Sequence, residues 1–369
     1  MLISMTKQAL VGGPVKQGAS RMLAATRLES SDATPAWFMR QAGRSLPSYR
    51  ALRQRLSLLE MVRDPAVAAE VTLMPVDLLG VDAAVLFADI VLPLEGLGVA
   101  FEIREGVGPV IDEPIRSGEQ VARLRVVDPL ESTPYLFETI HLVRRSLGDR
   151  AALVGFGPSP FTLACYLVEG SGSRDYPHVR ALMQGQSSLW EALMRTLTTV
   201  LTAYLTAQAH AGAQIVQIFD SWVGVLPGEA YQRQVVPHLQ EMFRALDGVV
   251  PALYFSTGST HLMEGIRSTG APGVSVDWRQ GLSQAWSQLG YDHFIQGNLD
   301  PALLLAPLPI LDAGVRGVLD QAAGRPGHIF NLGHGVLPES DPGRLRHVVD
   351  MVHELTSDLG PAAGSSAPG

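Results

Sequence analysis

The sequence is short of cysteine and of lysine. A single cysteine, Cys165, excludes an intrachain disulfide and any zinc site built on two or four cysteines. Lysine occurs only at positions 7 and 16, so the basic character rests almost wholly on arginine. Positive charge is in deficit: 28 basic against 36 acidic residues gives a net charge of −8. No nucleic-acid partner is expected of such an acidic chain. No apolar run reaches the roughly 18–20 residues that a membrane span needs, so no membrane association is expected. No secretory signal is expected either, because Met1 to Ile3 is too short an apolar region and Lys7 interrupts the stretch after it.

What is present is a large apolar fraction. Of 369 residues, 46% are hydrophobic and 17% charged, enough to bury a sizeable core in the size range of one α/β barrel. Residues 1–20 read as a flexible extension. Lys7, Lys16, Arg21 and Arg27 all precede the first acid, Glu29, a weak likeness to an organelle transit peptide. Residues 359–369 are rich in Gly, Ala, Ser and Pro and read as a disordered tail. The catalytic domain is expected over residues 21–358.

Between the ends, short β-branched apolar runs alternate with helical patterns. Eight runs are read as strands: Ala36–Met39, Ala83–Phe87, Ala152–Phe156, Gln214–Phe219, Pro251–Phe255, Gly273–Val276, His293–Gln296 and His328–Asn331. The clearest helix is Ser187–Ala211, where Leu189, Leu193, Leu197, Leu201 and Leu205 recur every fourth residue and Ser187 offers an N-cap. A second runs from a cap at Asp341 to Leu359, with Leu345, Val348, Val349, Val352 and Leu355 on one face. The alternation predicts a single (β/α)8 TIM-type barrel; a doubly wound sheet is the alternative. Val99–Ile111 alternates apolar and charged residues around Gly106 and Gly108, which predicts a β-hairpin inserted after strand two.

In such a barrel the chemistry gathers where strands end and βα-loops begin. Strand one runs into Arg40-Gln41-Ala42-Gly43-Arg44, strand two into Asp89, strand three through Gly157–Phe161 to Tyr166, strand four into Asp220-Ser221-Trp222 and strand eight into Gly333-His334-Gly335. Guanidinium, carboxylate, hydroxyl and imidazole groups would thus share one rim. Taken singly, each has a plain structural explanation: a solvated arginine pair, a capping aspartate, a core tyrosine, a small buried thiol at Cys165. Gly155-x-Gly157 is not a phosphate loop, since neither Gly-Lys-Ser/Thr nor a full GxGxxG is present.

Together these segments resemble the uroporphyrinogen decarboxylase family. The resemblance is carried by Pro35–Arg44 (PAWFMRQAGR), Gly155–Gly170 (GFGPSPFTLACYLVEG), Gln217–Trp222 (QIFDSW), Val276–Trp278, Gln296–Pro301 (QGNLDP) and Gly327–Gly335 (GHIFNLGHG), in the family's order over roughly residues 20–356. It implies a cofactor-independent carboxy-lyase of haem biosynthesis on a (β/α)8 barrel, cytoplasmic and homodimeric. Such an enzyme converts the four acetate side chains of uroporphyrinogen III to methyls and yields coproporphyrinogen III. Carried over by motif, Arg40, Gln41, Ala42, Gly43 and Arg44 would form the substrate-binding loop. Asp89 would lie under the macrocycle; Tyr166, Ser221 and His334 would line the cleft; Arg53 would face substrate carboxylates. Asp89 and Arg40 are the candidate catalytic pair. The sequence departs from the pattern at Ser45, usually Tyr, at Gly157-Pro158-Ser159, usually without proline, and at Thr257, often Lys.

The residue types suit that chemistry. Arginine binds carboxylates with a planar two-pronged fork, and one ionised carboxylate can accept from several convergent pyrrole N–H groups. The pyrrole is itself an electron sink, so no metal or organic cofactor is expected. The proton donor is either Arg40, whose high pKa makes it a reluctant acid, or water or a substrate carboxyl held by Arg40. Two other readings remain open. A corrinoid-linked methyltransferase of related fold would need zinc ligands that a lone Cys165 does not supply. A non-catalytic tetrapyrrole carrier would keep the arginines and Asp89 but need no proton donor.

Overall fold

A computed structural model describes residues 17–43, 45–104 and 106–357. Its strands are β1 (Ala83–Val85), β2 (Glu102–Arg104), β3 (Gly108–Val110), β4 (Ala152–Pro158), β5 (Ile215–Asp220), β6 (Ala252–Ser256), β7 (Gly273–Ser275), β8 (Phe294–Leu299) and β9 (His328–Leu332). Seven of them form one parallel sheet in the order β1-β4-β5-β6-β7-β8-β9, with helices in the connections. That is the TIM-like α/β architecture the alternation predicts. β2 and β3 pair antiparallel as a separate hairpin, with Ile103 opposite Pro109, after the expected second strand and the Pro93–Leu97 helix.

The expected first strand is the exception. Ala36–Met39 forms no strand; it makes a single parallel bridge, Ala36 to Phe330. The bridge still closes the ring. Phe330 N donates to the Pro35 carbonyl at 2.8 Å and Trp37 N to the Phe330 carbonyl at 3.2 Å, while Asp82 N donates to the Ala36 carbonyl at 2.9 Å. Pairing stops there because side chains take over the next donors. Phe38 N donates to Gln41 Oε1 at 3.0 Å and Met39 N to Asn331 Oδ1 at 3.2 Å. Pro35 has no N–H to offer.

The Ser187–Ala211 helix forms over the expected span and buries Leu193, Leu197, Leu201 and Leu205. Its N-cap is Gln186, without a side-chain bond, so Ser187 is not the cap. The last described helix, Pro342–Thr356, is capped by Asp341, whose Oδ1 accepts from Gly343 N at 3.0 Å. Leu345, Val348, Val349 and Val352 are buried there, whereas Leu355 on the final turn is exposed. At the other end, the Gly18–Thr26 helix starts ahead of the boundary expected at residue 21. Residues 1–16 and the tail lie outside the described residues. The barrel interior carries a polar layer. Gln296 Oε1 accepts from Trp37 Nε1 at 2.9 Å, and Gln296 Nε2 donates to Gln217 Oε1 at 3.1 Å and Ser275 Oγ at 3.0 Å. These groups are buried and satisfied, as buried polar atoms must be.

Candidate active site

The carboxyl ends of the strands bring most of the expected residues to one rim. Asp89 lies four residues past β1, half-buried. Its Oδ1 accepts from Val91 N at 3.0 Å. Burial pushes its carboxyl above the ordinary range; the Val91 N–H, the Arg40 charge and the Ile90 N–H pull the other way.

Arg40 is held in a costly conformation. Its φ of 62° is left-handed, which a residue with a Cβ adopts at a cost of roughly 1–2 kcal/mol. The surroundings fix it there. Gly43 N donates to the Arg40 carbonyl at 3.0 Å, and Val336 N, in the loop after β9, donates to the Met39 carbonyl at 2.9 Å. The arginine stem lies against Gly335, where a Cβ would meet Arg40 Cδ at 2.6 Å. The glycine after His334 therefore makes room for Arg40. Arg40 itself is exposed at the rim.

Tyr166 is on the Pro160–Glu169 helix, buried, with its ring edge-on to Trp222 at 6.3 Å. Burial, reinforced by the Asp89 charge, pushes its phenol up to about 12, so it stays a neutral O–H donor near neutral pH. Asp89, Arg40 and Tyr166 thus share one electrostatic neighbourhood. Ser221 follows β5 and is half-buried; its carbonyl accepts from Thr257 Oγ1 at 3.0 Å. His334 packs edge-on to Phe255 at 6.0 Å and to Trp278 at 6.3 Å.

The remaining expected residues divide. Gln41 is fully buried, and its amide braces the loop: Oε1 takes the Phe38 N–H and Nε2 donates to the Ala83 carbonyl at 2.8 Å. It shapes the arginine loop from below. Ala42 is buried and Gly43 half-buried. Arg53, at the end of the Pro47–Arg53 helix, donates from Nη1 to the Leu56 carbonyl at 2.7 Å. Arg44 lies outside the described residues.

Two features of the rim do not emerge from the sequence. One is an aromatic arc along the strand ends: Phe156 on Phe219 at 5.5 Å, Phe219 on Phe255 at 5.5 Å, then His334 and Trp278. Phe156 and Phe219 are partly exposed inside otherwise buried strands, the signal of an apolar cleft floor. The other is the hydroxyl network around Asp220, which is fully buried at the end of β5. Its oxygens accept from Ser159 Oγ at 2.6 Å, Thr162 Oγ1 at 3.0 Å and Tyr254 Oη at 2.6 Å. Burial raises it to about 6, against those three hydroxyls. The network ties the first turn of the Tyr166 helix to the strand end that carries Ser221. Among the described residues, no three His, Cys, Asp or Glu side chains are grouped to hold a metal ion.

The family model for uroporphyrinogen decarboxylase (URO-D) matches residues 17–355. The chain belongs to the uroporphyrinogen decarboxylase family. A uroporphyrinogen decarboxylase of Sorangium cellulosum is 47% identical over 336 residues, covering 91% of this chain and 96% of that one. One from Roseiflexus is 47% identical over 345 residues, covering 92% and 99%. Among solved structures, a methyltransferase from Methanosarcina mazei superposes with a TM-score of 0.75 at 19% identity, over 92% of this chain and 99% of that one. At that identity the likeness speaks to the fold alone.

Proposed function

We propose that this chain performs the family's reaction: stepwise decarboxylation of the four acetate groups of uroporphyrinogen III to methyls, releasing four CO2 and coproporphyrinogen III. The chain is then a carboxy-lyase of porphyrin biosynthesis. The observation that carries the residue-level reading is Asp89, a carboxylate raised by burial beside Arg40 and Tyr166 on an apolar-floored rim. Four inward pyrrole N–H groups would add to the backbone N–H groups that Asp89 already accepts from.

In each round a proton adds to the pyrrole α-carbon next to the ring carbon that bears the acetate, and the ring becomes a cation conjugated with that carbon. The bond to the carboxylate then breaks, CO2 leaves and its electron pair flows into the ring. The exocyclic carbon takes a proton to become methyl, and the ring gives up the first proton, so each turnover consumes one proton net. Asp89 stabilises the positive charge that peaks on the way to the transition state. Arg40 orients a substrate carboxylate near the reacting carbon, and Tyr166 donates from its neutral phenol. The macrocycle lies on the aromatic arc. The pyrrole is the electron sink, so the step calls for no metal or organic cofactor.

A homodimer in the cytoplasm belongs to the same proposal, on the family resemblance. No helix among the described residues is long and apolar enough to cross a membrane. The deciding experiment is incubation with uroporphyrinogen III under reducing conditions in the dark. Coproporphyrinogen and CO2 are expected; tight binding without CO2 release would make the chain a carrier instead.

A further inference from the structure

The substrate carries eight carboxylates, and a rim that binds it needs cations beyond Arg40. Past β7 the chain reads Asp277-Trp278-Arg279. Asp277 is buried, and its oxygens accept from Gly258 N at 2.7 Å, Arg279 N at 2.9 Å and Arg279 Nη1 at 2.7 Å. The Arg279 guanidinium carbon lies 4.1 Å over the Trp278 ring. Stacked from one side and pinned at one nitrogen, the fork is held in place before any ligand arrives, which lowers the ordering cost of binding.

The ion pair is not symmetric. The Asp277 side chain is 5% exposed and that of Arg279 50%. The negative end faces inward and the positive end faces solvent. The pair is neutral in sum, yet to an approaching anion it presents a cation.

Its place on the rim is fixed by its neighbours. Trp278 packs against His334 at 6.3 Å, and a Cβ on Gly333 would strike the Trp278 backbone. Gly335, on the other side of His334, is the residue against which the Arg40 stem lies. Arg40 and Arg279 therefore flank the same glycine-rich loop after β9, at one end of the aromatic arc.

We propose that Arg279 is a further substrate-binding residue, whose stacked guanidinium takes one peripheral carboxylate of the tetrapyrrole. This rests on the reading given under Proposed function. Asp277 and Trp278 act through Arg279 and are positioning residues.

The test is steady-state decarboxylation by Arg279→Gln and Arg279→Lys, with melting temperature and the salt dependence of kcat/KM measured alongside. Glutamine is expected to raise KM about tenfold with kcat within about twofold of wild type, the effect of removing one charge-assisted hydrogen bond. It should also flatten the salt dependence. Lysine keeps the charge and the partner but loses the fork, and should fall between. An unchanged KM in Arg279→Gln overturns the proposal. So does a fall in kcat and melting temperature together at unchanged salt dependence, which would mark a purely structural ion pair. Should the glutamine variant fail to fold, a wild-type KM in the lysine variant overturns it equally. Absence of CO2 release by the wild-type chain would instead sink the functional reading itself.

Discussion

Two aspartates bracket β1, and they live in opposite ways. Asp82, just before the strand, is 1% exposed and accepts from Ala36 N at 2.8 Å, His353 Nε2 at 2.7 Å and Arg21 Nη1 at 3.2 Å. Arg21 also pairs with Asp32. One carboxylate thus joins the first described helix, the bridge that closes the ring and the last helix. Asp89, just after the strand, is half-buried and takes a backbone N–H from Val91. The same side chain takes side-chain donors from two distant helices at the amino end of the barrel and local backbone N–H groups at the carboxyl end. A carboxylate that the fold satisfies serves stability; one that the fold leaves to a ligand serves chemistry.

The contrast breaks most readily at Asp82. Asp82→Ala removes an acceptor from the half-buried Arg21, which keeps Asp32, takes the carboxylate from His353 and leaves the Ala36 N–H unanswered. Losing one member of a buried charge network costs about 3–5 kcal/mol. Urea unfolding should show that loss, while kcat of the folded fraction stays near wild type. Intact stability, or a specific loss of kcat, would erase the division between the two ends.

Asp89→Asn is the mirror experiment. The amide keeps the volume and removes the charge, so the fold should hold and turnover should drop roughly a hundredfold, about 3 kcal/mol of transition-state stabilisation. Because burial already raises Asp89, wild-type kcat/KM should also fall with acid at a pH above the ordinary carboxylate range. A variant with near-wild-type kcat would remove Asp89 from the centre of the site.

Much of this is legible in the sequence. Strand ends are set by local apolar periodicity, and Arg40, Asp89, Ser221 and His334 fall on the rim because each stands just past such a run, while Tyr166 comes from the helix that follows β4. What periodicity cannot see is partnership across the chain. Asp82 meets His353 across 271 positions, Gln41 reaches Ala83 across 42, and Ser159 reaches Asp220 across 61. Those bonds decide that Gln41 is a brace, and that Ala36–Met39 turns aside after one bridge although its apolar run reads as a strand. The Phe38 and Met39 N–H groups go to side chains whose approach no local pattern encodes.

Asp220 sharpens the contrast, because it stands at the chemical end yet is satisfied like Asp82. Its folded pKa is raised to about 6 from 3.8. A raised carboxylate holds its proton more firmly in the folded state. Its contribution to stability is therefore fully present below the unfolded value and is lost as pH rises through about 6. The stability of wild type relative to Asp220→Asn should shift in favour of wild type by about 2–3 kcal/mol from pH 7 to pH 4. Urea titrations at each pH check this. A flat difference would mean that the three hydroxyls, and not burial, set the ionisation of Asp220.

Cys165 should give the smallest effect of all. It lies fully buried on the Tyr166 helix, and burial, with the Asp220 and Glu169 charges, pushes its thiol well above the ordinary range. A thiol so disfavoured as thiolate is a poor nucleophile and a poor metal ligand. Cys165→Ser exchanges a weak donor for a hydroxyl in an apolar setting, at a cost of about 1–3 kcal/mol if the hydroxyl finds no partner. A helical serine can donate to the carbonyl four residues back, here Phe161, so the loss should lie at the lower end, about 1 kcal/mol. Turnover should be unchanged, and prior dialysis against a chelator should leave it so, because the pyrrole carries the electrons. Thermal melts and CO2 release measured on the variant decide the matter. If Cys165→Ser abolished activity, or if zinc restored a chelated enzyme, thiol-dependent zinc chemistry of the methyltransferase kind would displace the pyrrole as the source of reactivity.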